Sequence, residues 1–336
     1  MTHHLLIVGS GSVGKRHARN LAALGCQISC MDPRADRCAE LATETNIVGQ
    51  HTDLTVALGE GGGLDGVVIC SPPAFHEAQT ILALQHRLPV LLEKPAAPDL
   101  AACRRMAAAR AAADVPLLLG YTWRWWPPLR KARQLLEQFA IGPVRSAQFH
   151  ISAHLADWHP WERYQDFFMA SKALGGGALL DESHWIDLMI WLFGLPDAVS
   201  GNVDKLSELE IDTDDNVEIL AYYKERLRIY LHLDIYGRPH DKSIRFIGEK
   251  GSLLWTSDPN QIIYGGEASS WSKTLEFSCE RNDMFIAVAQ EFVEILNGKT
   301  TPSCTIEDGA RVLQLIEALR ASDRSGARIA LGEAGT

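Results

Sequence analysis

Leu5-Leu6-Ile7-Val8-Gly9-Ser10-Gly11-Ser12-Val13-Gly14 opens the chain with a short apolar run that ends on three spaced glycines. Residues 15–24 follow with a helical pattern that stops at Gly25. Strand, glycine turn, helix and helix stop come in the order a dinucleotide-binding unit needs. Gly9 permits the tight turn, Gly11 lets backbone approach a pyrophosphate, and Gly14 allows close helix packing. The first helical amides, from Ser12 and Val13 onward, then face the phosphates.

The next strand, 27–31, ends at Asp32, where an acid binds the hydroxyls of the adenosine ribose. Its charge repels a 2′-phosphate, so NAD is preferred over NADP. Arg34 and Arg37 keep the alternative open, because a guanidinium beside the ribose pairs with that phosphate. Residues 64–70 read as a further buried strand, and Ser71-Pro72-Pro73-Ala74-Phe75-His76 as the turn that opens a helix. The run Leu88-Pro89-Val90-Leu91-Leu92 leads into Glu93-Lys94-Pro95, Asp99 caps an alanine-rich helix to Ala113, and 115–120 closes the alternation. Strands alternating with helices predict an α/β fold: a doubly wound parallel sheet of Rossmann type, whose ligands bind at the carboxyl ends of its strands. Lys94 stands at such an end, where an ammonium can polarise an alcohol or carbonyl oxygen.

The 336 residues suffice for two domains, and the texture changes after Gly120, which divides the chain into a dinucleotide-binding domain 1–120 and a second domain 121–336. A net charge of −10 without a long basic run argues against nucleic acid as a partner. No apolar stretch reaches the roughly 20 residues of a membrane span. The amino terminus runs straight into a strand pattern, and seven scattered cysteines without a Cys-x-x-Cys pair read as reduced thiols. A cytoplasmic protein without a structural metal is expected.

In the second domain Arg124 lies among Trp123, Trp125 and Trp126. The rings are expected as core, or, with the arginine, as part of a binding wall. Residues 157–164, including Trp158, His159 and Tyr164, combine rings with hydrogen-bonding groups that suit a sugar or form a packed loop. After Gly175-Gly176-Gly177, one helix is expected to carry Asp181, His184 and Asp187 on a shared face, with either aspartate orienting the imidazole. Two carboxylates and an imidazole make an incomplete metal set, so metal catalysis is a minor alternative. The stretches 198–204, 216–223, 227–236, 243–247 and 252–255 predict a large, mostly antiparallel sheet with a hairpin at Lys224-Glu225-Arg226, and 284–296 and 306–321 predict helices in an α+β domain.

The glycine turn with His17, Ser71-Pro72-Pro73 with His76, and Glu93-Lys94-Pro95, in that order, resemble the Gfo/Idh/MocA oxidoreductases, as does the glycine run before His184. The resemblance implies that Ser71, Pro72, His76, Glu93, Lys94 and Pro95 border the cofactor, that Lys94 also meets substrate, and that Arg124 lies near either. His17 is assigned no chemistry. Many relatives carry a catalytic aspartate four residues before the histidine, where this chain has Leu180; either a shorter local turn presents Asp181 in its place, or this branch works without that carboxylate. The implied function is NAD(P)-dependent hydride transfer at a secondary alcohol of a sugar, cyclitol or nucleotide-linked sugar. Lys94, His184 and Asp181 would be catalytic, with Arg124, Trp158, His159 and Tyr164 toward substrate. A homodimer or homotetramer through the second sheet is implied too. The alternatives are a noncatalytic dinucleotide or sugar sensor, which would need neither Lys94 nor His184, and a reductase of a non-carbohydrate.

Overall fold

The computed structural model describes residues 2–60, 63–158, 162–266 and 273–332. The first part of the chain alternates as read from sequence: β1 His4–Val8, α1 Ser12–Ala23, β2 Gln27–Met31, α2 Ala35–Glu44, β3 Ile47–His51, α3 Leu54–Glu60, β4 Gly66–Ile69, α4 His76–Gln85, β5 Val90–Glu93, α5 Leu100–Ala113 and β6 Leu117–Gly120. A second series follows: α6 Pro127–Glu137, β7 Val144–Ser152, α7 Ala178–Asp181, α8 Ser183–Phe193, β8 Ala198–Asp204, β9 Asn216–Tyr223, β10 Leu227–Asp234, β11 Asp241–Gly248, β12 Gly251–Ser257, β13 Asn260–Gly266 and β14 Lys273–Glu276. The chain ends through α9 Arg281–Leu296, α10 Ile306–Ser325 and β15 Ile329–Ala330.

Two compact units divide these elements. The first is Met1–Thr122 with Arg281–Ala310, and the second is Trp123–Glu280 with Arg311–Thr336. The segment from Arg281, left by sequence reading with the second domain, thus belongs to the first. Its helix α9 buries Met284, Phe285, Val288, Ala289, Phe292 and Ile295 and packs on α1.

In the first unit six parallel strands lie in the order β3-β2-β1-β4-β5-β6. Leu5 to Val8, Val67 to Ile69 and Val90 to Leu92 have no solvent exposure. Such unbroken apolar runs belong to strands covered on both faces. The order reverses between β1 and β4, and the crevice beyond the strand ends at that reversal is where ligands bind in such sheets. Strand β3, at the sheet edge, alternates half-buried and exposed residues, which is why no apolar run announced it. Asp99 caps α5 as expected, accepting the Ala102 amide at 2.8 Å.

The second unit is a nine-stranded sheet in the order β14-β13-β12-β11-β7-β10-β9-β8-β15. Among the described residues of this sheet, only β7 and β10 pair in parallel. The hairpin between β9 and β10 turns at residues 224–226, with Arg226 at φ 60. One face is apolar, with Phe149, Ile219, Leu231, Phe246 and Trp255 fully buried. Helix α6 lies on β12 and β13, and α7 on β9 and β10. The other face carries Gln148, Arg228, Tyr230 and Arg245, all exposed. At its centre His232 bridges Glu218 and Asp234 at 2.6 and 2.9 Å and stacks on His150 at 5.1 Å.

Candidate active site

The three glycines do different work. Gly9 has φ +91, and a Cβ there would meet the Ser71 amide nitrogen at 2.8 Å. A Cβ on Gly14 would stand 1.9 Å from the Gly9 carbonyl oxygen, so α1 is seated directly on the turn. At Gly11 the nearest atom would be Arg37 Nη1 at 4.0 Å, leaving open space beside the backbone. Two closed positions around one open one make a cradle for a pyrophosphate.

Asp32, buried just past β2, accepts the Ser10 amide at 2.8 Å and the Arg34 amide at 3.0 Å. Its carboxylate is thereby tied to the glycine turn, and carboxylate oxygens still have lone pairs for hydroxyl donors. The Arg34 guanidinium pairs with Asp36. Ser71, at the end of β4, donates to Gln79 Oε1 at 2.5 Å. His76 is fully buried, with Nδ1 2.9 Å from the Pro95 carbonyl oxygen and Nε2 2.8 Å from that of Ser71. Its ring therefore joins two turns of the protein. Burial pushes its titration down, against the carbonyls and Glu93, which push it up.

Glu93 ends β5 and is buried, with Oε1 2.8 Å from His17 Nε2 and Oε2 accepting the Lys94 amide at 3.3 Å. Burial works against its ionisation. The hydrogen bond and charge of His17, the Lys94 ammonium and the Lys94 amide outweigh that and hold the carboxyl below its ordinary value. His17, assigned no chemistry from sequence and equally readable as a surface residue, is fully buried. Cys70 beside this group is pushed well above the usual thiol range by burial and then by Glu93.

The second unit holds the remaining candidates. The helix expected to carry Asp181, His184 and Asp187 on one face is broken: α7 ends at Asp181, Glu182 takes φ −87 and ψ 15, and α8 begins at Ser183. Only His184 and Asp187 keep a helical spacing of three. Asp187 is fully buried, and its two oxygens accept the Arg124 Nε and Nη2 at 2.8 and 2.6 Å. Asp187, one of the two carboxylates expected to orient the imidazole, engages Arg124 bidentately. Arg124, expected toward cofactor or substrate, is itself buried in this pair.

The glycine run before α7 is steric in origin. A Cβ at Gly176 would fall 2.4 Å from the Phe168 and Met169 carbonyl oxygens, and one at Gly177 would fall 2.5 Å from Asp214 Oδ1. Asp214, which sequence reading missed, accepts the Leu179 amide at 2.7 Å at the start of α7. Burial raises its carboxyl above the ordinary value, the Leu179 amide opposing. Trp123, Trp185 and Trp255 pack with centroids 5.8 to 6.2 Å apart; Trp185 and Trp255 are core, whereas Trp123 is half-buried. Trp158 is half-buried, and Tyr164 accepts the Glu210 amide at 3.2 Å through its hydroxyl. His159 lies outside the described residues. Among the described residues no group of three His, Cys, Asp or Glu side chains is placed to hold a metal, and no helix is long and apolar enough to cross a membrane.

Residues 3–121 match the model for an oxidoreductase family with an NAD-binding Rossmann fold, and 129–254 match that for the GFO/IDH/MocA C-terminal domain. A myo-inositol 2-dehydrogenase of Thermotoga maritima is 25% identical over 322 residues, covering 92% of each chain. The solved NADH complex of a levoglucosan dehydrogenase superimposes with a TM-score of 0.88 at 17% identity, over 99% of this chain and 100% of the other. The WlbA dehydrogenase of Bordetella pertussis, solved with NADH and UDP-GlcNAcA, gives 0.82 at 21% over 99% and 100%.

Proposed function

This chain belongs to the Gfo/Idh/MocA family of oxidoreductases, and from that membership we propose that it moves hydride between NAD and a secondary alcohol carbon of a sugar, cyclitol or nucleotide-linked sugar. The observation that carries the reading is the cradle itself: Gly9 and Gly14 closed by backbone, Gly11 open, and Asp32 held against the turn by the Ser10 amide. These residues fit a dinucleotide. Gly11, Ser12, Val13 and Gly14 would hold its pyrophosphate and Asp32 its adenosine ribose, with Arg34 alongside. Ser71, Pro72 and Pro95 would border the nicotinamide. When bound, that ring accepts or returns the hydride.

The chain's own residues manage the proton and the charge. Lys94 steadies the oxygen that becomes anionic as the alcohol is oxidised, and His184 removes the hydroxyl proton. Asp181 serves as the carboxylate partner of His184 in place of the family aspartate, since Leu180 is a buried apolar residue. Arg124 holds Asp187 and so fixes the helix that bears His184. Trp158, His159 and Tyr164 contribute the substrate wall. The names of the relatives favour a polyhydroxylated ring as substrate. NAD is preferred over NADP, because Asp32 is buried and ionic repulsion of a 2′-phosphate would go unscreened. Seven scattered cysteines without a Cys-x-x-Cys pair fit the reducing cytoplasm.

Following cofactor fluorescence through a screen of cyclitols, sugars and nucleotide sugars tests the reading. Lys94→Ala and His184→Ala are each expected to lose about 10²- to 10⁴-fold in turnover while calorimetry still detects NAD binding, tighter than NADP. Wild-type rates in both variants would remove these residues from the chemistry. We also propose that the open face of the second sheet is covered by another copy in a homodimer or homotetramer. Sedimentation velocity showing only monomer at micromolar concentration would refute it.

A further inference from the structure

Two buried histidines border the strand end that carries Lys94, and hydride transfer uses neither of them directly. On one flank, His17 reaches from α1 to Glu93 at 2.8 Å, its ring edge-on to Phe285 of α9 with centroids 5.7 Å apart. Glu93 is paired in register with Gly120 of β6. A Cβ at Gly120 would lie 3.2 Å from Glu93 Oε1, so the missing side chain leaves room for the carboxylate to fold back over the sheet. From there its second oxygen accepts the Lys94 amide at 3.3 Å. On the other flank, the His76 ring lies between the Pro95 and Ser71 carbonyls at 2.9 and 2.8 Å, and in its neutral Nδ1–H tautomer it donates to the Pro95 carbonyl. The peptide bearing Lys94 has just left the sheet ladder, and these contacts replace what the ladder no longer supplies.

We propose that His17 and His76 are positioning residues, a buried clamp that fixes Lys94 through the Glu93 carboxylate on one side and the Pro95 carbonyl on the other. The proposal rests on the reading of Lys94 as the group that meets substrate. It also ties that group to the glycine-turn helix, because His17 lies on α1 three residues beyond Gly14, the last glycine of the cradle. A reacting group displaced by about 1 Å loses on the order of 10²-fold in rate, so a clamp of this kind has a use that bulk stability does not require. Among the described residues, the Glu93 charge also acts on the Arg16 guanidinium, which stacks on Phe285 at 4.6 Å, and on the Cys70 thiol.

The test needs neither substrate nor cofactor. Reductive methylation of the intact protein with ¹³C-formaldehyde gives a dimethyl-lysine resonance for Lys94, assigned by its loss in Lys94→Arg, whose titration reports the charge beside it. Glu93→Gln is expected to lower the Lys94 midpoint by about half a pH unit or more. His17→Leu, which releases the carboxylate toward the ammonium, is expected to raise it by a similar amount, and His17→Gln, which keeps a donor, to restore the wild-type value. His76→Leu is expected to broaden or split the resonance as the Pro95 side loosens, with His76→Gln closer to wild type. Leucine variants that melt like wild type and titrate like wild type would overturn the clamp. Should they fail to fold, an unmoved Lys94 midpoint in Glu93→Gln would overturn it equally. Loss of the catalytic reading registers elsewhere, as turnover retained in Lys94→Ala.

Discussion

At the glycine turn a single methyl group separates two kinds of damage. A Cβ at Gly14 meets the backbone of Gly9 at 1.9 Å, and no side-chain movement relieves it. Gly14→Ala is expected to lose about 3 kcal/mol or more in a urea titration. Gly11→Ala has room to fold, and should melt like wild type while binding NAD about tenfold or more weakly by calorimetry, since the methyl occupies the approach of the pyrophosphate. Equal destabilisation of the two variants would contradict that division. The glycines could be read from sequence because each acts on its immediate neighbours. His17 could not, because its partner Glu93 is 76 positions away and nothing local marks the helix face that it lies on. Asp32 was legible for the opposite reason, being the first residue past a strand whose direction the apolar pattern had fixed.

Among the elements, the helical period predicted a continuous row from Asp181 to Asp187, and the break at Glu182 defeats it. Periodicity reports which residues are buried, and Asp181, Glu182, Ser183 and Asp187 all are. It does not report that Asp214 and the glycine run pin a separate first turn in place. The buried pair at the other end of the row has a measurable role. Asp187→Ala strips Arg124 of its bidentate carboxylate and is expected to cost about 3–5 kcal/mol by urea denaturation. Adding Arg124→Leu should recover part of that loss, and a purely additive double variant would show that the two side chains do not act as a pair. The antiparallel strands β8 to β12 were legible from alternation and turn residues. β13 and β14 were not read, and β15 is too short for any period to register.

For the whole molecule, the division at Gly120 captures where the texture of the sequence changes but not where the first unit ends. Composition is read along the chain, and the return of residues 281–310 to the first unit is a packing event that no local pattern encodes. That return has physical content: Phe292 ends in contact range of Gly66 in β4, Phe285 meets His17, and the Leu119 amide donates to the Cys304 carbonyl at 2.9 Å. A fragment of residues 1–122 is therefore expected to aggregate, whereas the same fragment joined by a glycine-serine linker to 281–310 should be monomeric and bind NAD by calorimetry. During synthesis the consequence is one of timing. At about 5–20 residues per second, the first-made unit must wait on the order of ten seconds or more for its last helix to emerge. The nucleotide cradle, though written first, is among the last parts of the protein to be finished.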